Sequence, residues 1–362
     1  MYLFERSAWI AQRDPSTRAE IEAAIARAQK HEKHARNGED VFTGIHTQAS
    51  NNPCAEGSLY AFNDQYIELS AGAMQERRGL ITLITFTLCF LCAGLWKLCI
   101  QMSSVWFTGV HFGVGRPAST ADYIDPIIIG LIALLFCTCI YKYLWKLIRL
   151  ENFVQRRLLI RFNRITRQVY IHRPRYAGGI TTLPWDKISP EPAIGQPEWT
   201  GTGSQLLLGW ERKATGLPHF HIVLVGRVAT ETREITDLWE YIRRYMEEGS
   251  AAVPRPEHFL SRIPWPWLSL HTSWNFMRPL WCSGRRSRVL LWTLLVAPAL
   301  AVHATGHWLS FLLCWEPRWP RIIREAGQPG KPVPPLSGAA DWPTLAPSST
   351  GPLQSHSPPK KA

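Results

Sequence analysis

Acidic side chains are scarce in this 362-residue chain: 28 Asp and Glu stand against 40 Lys and Arg, and the net charge is +12. The few carboxylates form no clustered pair for general acid–base chemistry. The chain also lacks a Gly-rich phosphate loop, a G-x-S-x-G elbow and an H-E-x-x-H helix, which removes the sequence signatures of P-loop enzymes, α/β-hydrolases and zinc proteases. The eight cysteines build no disulfide framework: Cys89, Cys92, Cys99, Cys137 and Cys139 lie in apolar runs, Cys314 ends another, and Cys54 and Cys282 are left over. A reduced, cytosol-facing protein follows. MYLFERSAWI is too polar for a cleavable signal peptide, so none is expected.

Tryptophan is abundant, at 17 residues, and suits membrane interfaces because the ring is half apolar and half wet. A hydrophobic fraction of 46% argues against a polytopic transporter. The positive balance fits an anionic lipid surface or nucleic acid, and the apolar runs favour lipid; no nucleic-acid partner is expected.

Residues 1–58 are read as a charged helix, 14–36, started by Asp14 and Pro15, and a polar loop, with 59–79 as a pre-membrane segment. Two apolar runs follow, 80–102 and 126–145. Leu80 to Trp96 carries no charge, and Asp125 and Pro126 are expected to start the second helix. The bland alternative is a pair of buried core helices; charged flanks favour a transmembrane hairpin over 80–146. Arg77, Arg78, Lys142, Lys146, Arg149, Arg156 and Arg157 flank its two ends, whereas the loop 103–125 has only Arg116. The rule of positive charge on the inner side puts the main domain on the cytoplasmic side of the membrane.

Residues 156–249 read as that domain. In LLIRFNRITRQVYIHR, apolar residues alternate, so Ile160 and Phe162 share a strand face with Val169 and Ile171 of a partner strand. ITTLPWDKI, QLLLGWERK and HFHIVLVGRV add strands. In TREITDLWEYIRRYMEE, Ile235, Leu238, Trp239, Ile242 and Met246 form one helical stripe, stopped by Gly249. The fold class is therefore an α+β membrane protein: a two-helix transmembrane hairpin plus a small, mostly antiparallel β domain, pleckstrin-homology-like, closed by a C-terminal amphipathic helix. Residues 250–287 contain Trp265, Trp267, Trp274 and Trp281 among prolines and arginines, as an interfacial anchor or a loop packed over the sheet. The run 289–315, broken by Pro298 and Gly306, is a kinked span with the C-terminus outside or a re-entrant hairpin with it inside. Residues 327–362 read as a disordered tail.

Candidate chemistry is sparse. Arg161, Arg164 and Arg167 are candidate phosphate or lipid contacts, against a merely solvated turn. His219 and His221 share a strand face without a third ligand nearby. His303 and His307, one helical turn apart in an apolar helix, could serve a metal or haem. Cys89 and Cys92 form a CxxC inside an apolar helix, where a small hydrophobe is the simpler role. The balance of these readings assigns no catalytic residue, no cofactor and no metal site.

YAFNDQYIELSAGAMQERRG, with Glu68, Arg77, Arg78 and Gly79, and RFNRITRQVYI, with Arg161, Phe162, Asn163, Arg164, Val169 and Tyr170, resemble an uncharacterised family of proteobacterial inner-membrane proteins; Trp185 in LPWDKI and Trp319 and Pro320 in RWPRII also fit. The family is often encoded near type VI secretion genes and has no assigned catalytic residue. With no convergent reactive set in the chain, the first reading is a non-enzymatic membrane adaptor whose partners are lipid and a protein; the resemblance implies that the protein partner is an effector or a secretion component. The alternatives are an immunity protein against a membrane-active effector and a redox protein using His303 and His307.

Overall fold

The computed structural model describes residues 2–13, 44–55, 57–72, 75, 78–192, 204–217, 220–229, 231–275 and 286–341. The helix expected over 14–36 lies outside them. A different helix, α1 (Leu3–Arg13), opens the chain and packs on the turn at Arg175–Ala177, with Trp9 against Gly178, while buried Tyr2 just before it donates to Gln155 O at 2.9 Å.

Among the described residues, eight strands make one antiparallel, curled sheet: β1 (Leu59–Phe62), β2 (Tyr66–Ala71), β3 (Leu158–Asn163), β4 (Gln168–His172), β5 (Ile180–Pro184), β6 (Ile188–Pro192), β7 (Ser204–Trp210) and β8 (His221–Ala229). The order is β5-β4-β3-β2-β8-β7-β6, with β1 on β2. The two ends, β5 and β6, are joined by three residues, 185–187, so the sheet must roll up, and the Trp210 indole donates to Pro184 O at 2.9 Å across the seam. Ile160 pairs with Ile171 and Phe162 with Val169, as the alternation predicts, and all four are buried in the main core. The helix after β8 (Thr232–Glu247; the sheet's lid) packs Ile235, Leu238, Trp239, Ile242 and Met246 into that core.

The sheet does not begin at residue 156. β2, from the segment read only as a lead-in to the membrane, lies between β3 and β8 and pairs with β3 along its whole length. The sequence hides this because YIELSA is short, and its partner is more than 85 residues away. Between β2 and β3 runs the apolar hairpin, α2 (Leu80–Ser103) and α3 (Thr120–Cys139). Helix α3 starts six residues before the expected Asp125–Pro126: Ser119 and Asp122 form a reciprocal capping box, leaving Pro126 inside the helix. A five-residue π-helical turn, Ile140–Leu144, and one more helical turn, Trp145–Ile148, carry the chain back. We label the lid helix α4.

A second excursion follows α4. Residues 254–264 return along the sheet, where Leu260 N donates to Leu59 O. Then α5 (Pro266–Asn275) and α6 (Arg286–Leu312) pack against each other. Within 250–287, residues 254–264 are thus a loop on the sheet and Pro266–Asn275 a helix packed against α6. After α6, Trp315 hydrogen-bonds with Val154 and Arg156, next to β3. Residues 316–337 cross the sheet's second face, burying Trp319, Ile323 and Ala326 against Leu159 and Tyr170. The expectation of a disordered tail from 327 is corrected for its first part: Gln168 donates to Pro334 O and Ser337 N donates to Thr182 O.

Among the described residues, three stretches are helical, long and apolar enough to cross a membrane: Leu80–Thr108, Thr120–Ile148 and Leu294–Leu312. Over the most apolar 18 residues of each, none of the first, 11% of the second and 28% of the third are buried. Outward-facing Phe90, Leu131 and Leu135 need an apolar surrounding, which associates the chain with a membrane. Because each helical excursion starts and ends on the same sheet, both return to the side they left. The run read as 289–315 is one continuous helix through Leu312, not a hairpin within itself, and the segment after it returns to the sheet beside Val154 and Arg156.

Candidate functional site

β2 alternates: Ile67, Leu69 and Ala71 point into the core, and Glu68 points to the other face. Glu68 is completely buried. Directly across on β3, Arg161 donates to its Oε2 through Nη2 at 2.9 Å and Nε at 3.2 Å. Arg262, from the loop before α5, donates to Oε1 at 2.6 Å, and the Trp319 indole to Oε2 at 2.7 Å. The Arg161 guanidinium lies over the rings of Tyr66, at 4.0 Å, and Trp319, at 5.0 Å. A buried carboxylate needs such donors, because desolvation otherwise outweighs its charge interactions. The node ties three remote segments together where the sheet approaches the apolar helices.

A second knot closes the helix ends. The Glu151 carboxylate, fully buried, accepts from Gly79 N, from Ile81 N at 3.1 Å and from Thr82 Oγ1 at 3.1 Å, so an anion caps the N-terminus of α2. The C-terminus of α6 receives cations. Arg156 donates to Phe311 O and Cys314 O, both at 2.9 Å, and buried Arg78 reaches the Cys314 sulfur and stacks 4.7 Å over Phe311. Gly79, at φ 108°, touches α6 so closely that a Cβ there would lie 2.3 Å from His307 N. Only glycine fits that backbone and that gap.

Between α5 and α6, Ser269 bonds His307 Nδ1 and Ser273 bonds His303 Nδ1, each at 2.8 Å. The imidazole centroids are 6.2 Å apart, and among the described residues no group of three His, Cys, Asp or Glu converges as a metal site. The pairs act as interhelical hydrogen bonds.

The three candidate arginines do not meet. Arg161 is held in the buried node; Arg164 donates to Asp64 O; Arg167, at φ 52°, bridges Asp186 and Glu247. Trp265 and Trp267 are exposed and stacked, with centroids 4.7 Å apart, and Trp274 is half-buried; Trp281 and His219 lie outside the described residues. His221 is buried on β8. Cys89 faces outward from α2, while Cys92 meets Cys137 of α3 at 3.4 Å between sulfurs. A cavity under α4, lined by Ser58, Leu206 and Leu238 among others, has about 60 Å³, room for a few waters.

Site residues missed in the sequence are Glu151, Arg262 and the pairing role of Glu68. A lone acid in an otherwise apolar strand was the available signal for Glu68; nothing local distinguishes Arg262.

Residues 134–328, more than half of the chain, match a family of unknown function, DUF6708. The chain belongs to the DUF6708 family. No curated protein and no solved structure matches it. The DUF6708 stretch starts midway through α3 and ends as the C-terminal segment reaches Gln328. It contains Arg161, Arg262 and Trp319, whereas Glu68, which they surround, lies outside it. The structural unit is therefore larger than the DUF6708 stretch.

Proposed function

We propose that this DUF6708 protein is a non-enzymatic adaptor of a bacterial inner membrane, with its curled sheet on the cytoplasmic side and a protein partner, an effector or secretion component, bound there. One observation carries the reading most: the chain itself covers the sheet's core face and, over β3 and β4, its second face, and the buried carboxylates Glu68 and Glu151 are committed to positioning segments. That leaves the outer surface of a pleckstrin-homology-like domain as the working part. The cytoplasmic assignment is supported by charge. Lys142, Lys146 and Arg149 are exposed at the sheet end of the apolar hairpin, whereas Arg116 at the far end is paired with Asp122 at 2.9 Å.

The link to type VI secretion rests on the resemblance of the Glu68 and Arg161 motifs. The test is in-cell photocrosslinking from exposed sites on the sheet domain, such as Arg212 and Lys187. Recovery of a secretion component or effector is the expected result; crosslinks to lipid alone would remove the partner. Accessibility of the same sites from outside intact cells would overturn the orientation.

A further inference from the structure

We propose that the π-helical end of the second apolar helix is a binding site for an anionic phospholipid headgroup. Lys142, Lys146 and Arg149 follow one another at spacings of four and three residues, on one face across Ile140–Leu144 and Trp145–Ile148. All three are exposed, and among the described residues no carboxylate pairs with any of them. The neighbouring basic residues are used differently: Arg78 and Arg156 cap α6, and Arg157 is buried beside Glu316, at 3.5 Å. The unspent positive charge of the junction is therefore concentrated on this stripe.

Aromatic rings frame it. Tyr141 and Tyr143 are 75% and 65% exposed, and Lys142 Nζ lies 5.4 Å over the Tyr143 ring. Phe153 adopts φ 55°, a left-handed conformation unfavourable for a phenylalanine, and thereby stacks its exposed ring against Trp145, at 6.5 Å. Two local departures from regular backbone, the π-turn and Phe153, thus present amphipathic rings and cations together at the level where the apolar helix leaves the membrane. Rings at headgroup depth, with cations reaching a phosphate from one side, fit a negatively charged glycerophospholipid; a zwitterionic headgroup offers no net charge for three unpaired cations. Arg161, Arg164 and Arg167, the sequence's candidates for this role, are engaged within the sheet domain.

The inference rests on membrane embedding and, for biological effect, on the proposed orientation. The full-length protein is reconstituted in nanodiscs of phosphatidylcholine alone and of phosphatidylcholine with one-quarter phosphatidylglycerol. Lipid retained on gentle detergent extraction is then counted by native mass spectrometry. Wild type is expected to retain phosphatidylglycerol selectively. Lys142→Gln, Lys146→Gln and Arg149→Gln are expected to reduce that retention roughly fivefold per charge, while Arg164→Gln leaves it unchanged. These positions are exposed, so folding is checked by an unaltered thermal midpoint; Phe153→Gly, which keeps the backbone and removes the ring, gives a second variant expected to lose retention. Equal retention in wild type and triple variant overturns the site. Competition by inorganic phosphate as strong as by phosphatidylglycerol overturns the lipid assignment. Failure to enter either nanodisc defeats the membrane reading itself, and is distinguishable from insertion without lipid preference.

Discussion

Glu68 accepts from Arg161, Arg262 and Trp319 at once, in a place closed to water. Removing one member of a buried ion pair leaves the other uncompensated, at a cost of ~3–5 kcal/mol. Glu68→Ala is expected to destabilise the protein by about that amount, and Arg161→Met in the same chain to recover part of it; thermal unfolding in detergent measures both, and strictly additive losses would show the pair to be uncoupled. The lid helix gives a pH prediction. Burial pushes the Glu240 carboxyl up, but Arg243, the Ala49 amide and Arg244 outweigh it and hold it below its ordinary 4.5. Glu247 is held down against burial by Arg167 and the Trp185 indole, 2.5 Å away. Groups with depressed folded-state pKa values stabilise above the unfolded value and lose that contribution as pH falls through the folded one. Unfolding midpoints are therefore expected to be flat near neutrality and to fall below about pH 4.5, with a shallower acid limb in Glu240→Gln.

Helix packing sets the next scale. Cys99 touches Pro126 O at 3.3 Å, and Cys92 touches Cys137, so one antiparallel register runs through α2 and α3. That register brings the exposed Lys97 and Lys142 to levels only ~15 Å apart, at 1.5 Å per residue over about ten residues. Each must extend its ammonium to the nearer headgroup layer. In a chain keeping only Cys92 and Cys137, mild oxidation is expected to give an intramolecular disulfide and faster migration on a non-reducing gel; a Cys89–Cys137 pair, with Cys89 facing outward, is expected to crosslink far less. At the crossing of α2 and α6, a Cβ on Gly306 would lie 2.4 Å from Leu83 and 2.8 Å from Gly79 O. Gly306→Leu is expected to separate the helices and lower the unfolding free energy, read from thermal unfolding in detergent, by an amount typical of overpacking, ~1–3 kcal/mol. Sequence periodicity located α2 and the lid helix correctly because a lipid-facing helix and an amphipathic one carry their environment in their composition. It placed the start of α3 six residues late because an Asp-Pro pair is a common helix start, whereas here the Ser119–Asp122 box lies upstream and Pro126 is accepted inside the helix at the loss of one backbone hydrogen bond.

Across the whole molecule, the insertion of the apolar hairpin between paired strands β2 and β3 requires an even number of crossings. A reporter at Val110 is expected on the side opposite to reporters at Gly216 and Lys331, which should agree with each other; any other pattern is incompatible with the sheet. The same interleaving predicts that residues 134–328 alone fail to fold. Without β2, the edges of β3 and β8 are unpaired and Arg161 loses its carboxylate, so the fragment is expected to aggregate or be degraded in a limited-proteolysis assay, whereas residues 44–341 resist.

The sequence by itself determined what needs only local chemistry: three apolar helices, the alternation of Ile160, Phe162, Val169 and Ile171, the buried stripe of the lid, and an excess of positive charge. Tertiary structure decided which cations are spent and which remain. Arg78, Arg156 and Arg161 look the same in sequence as Lys142, Lys146 and Arg149, yet the first three meet carbonyls, sulfur or a carboxylate supplied by segments 73–236 residues away. Charge is a property of a residue, but its compensation belongs to the fold, since distant backbone and side chains come within hydrogen-bonding reach only when the sheet closes around β2.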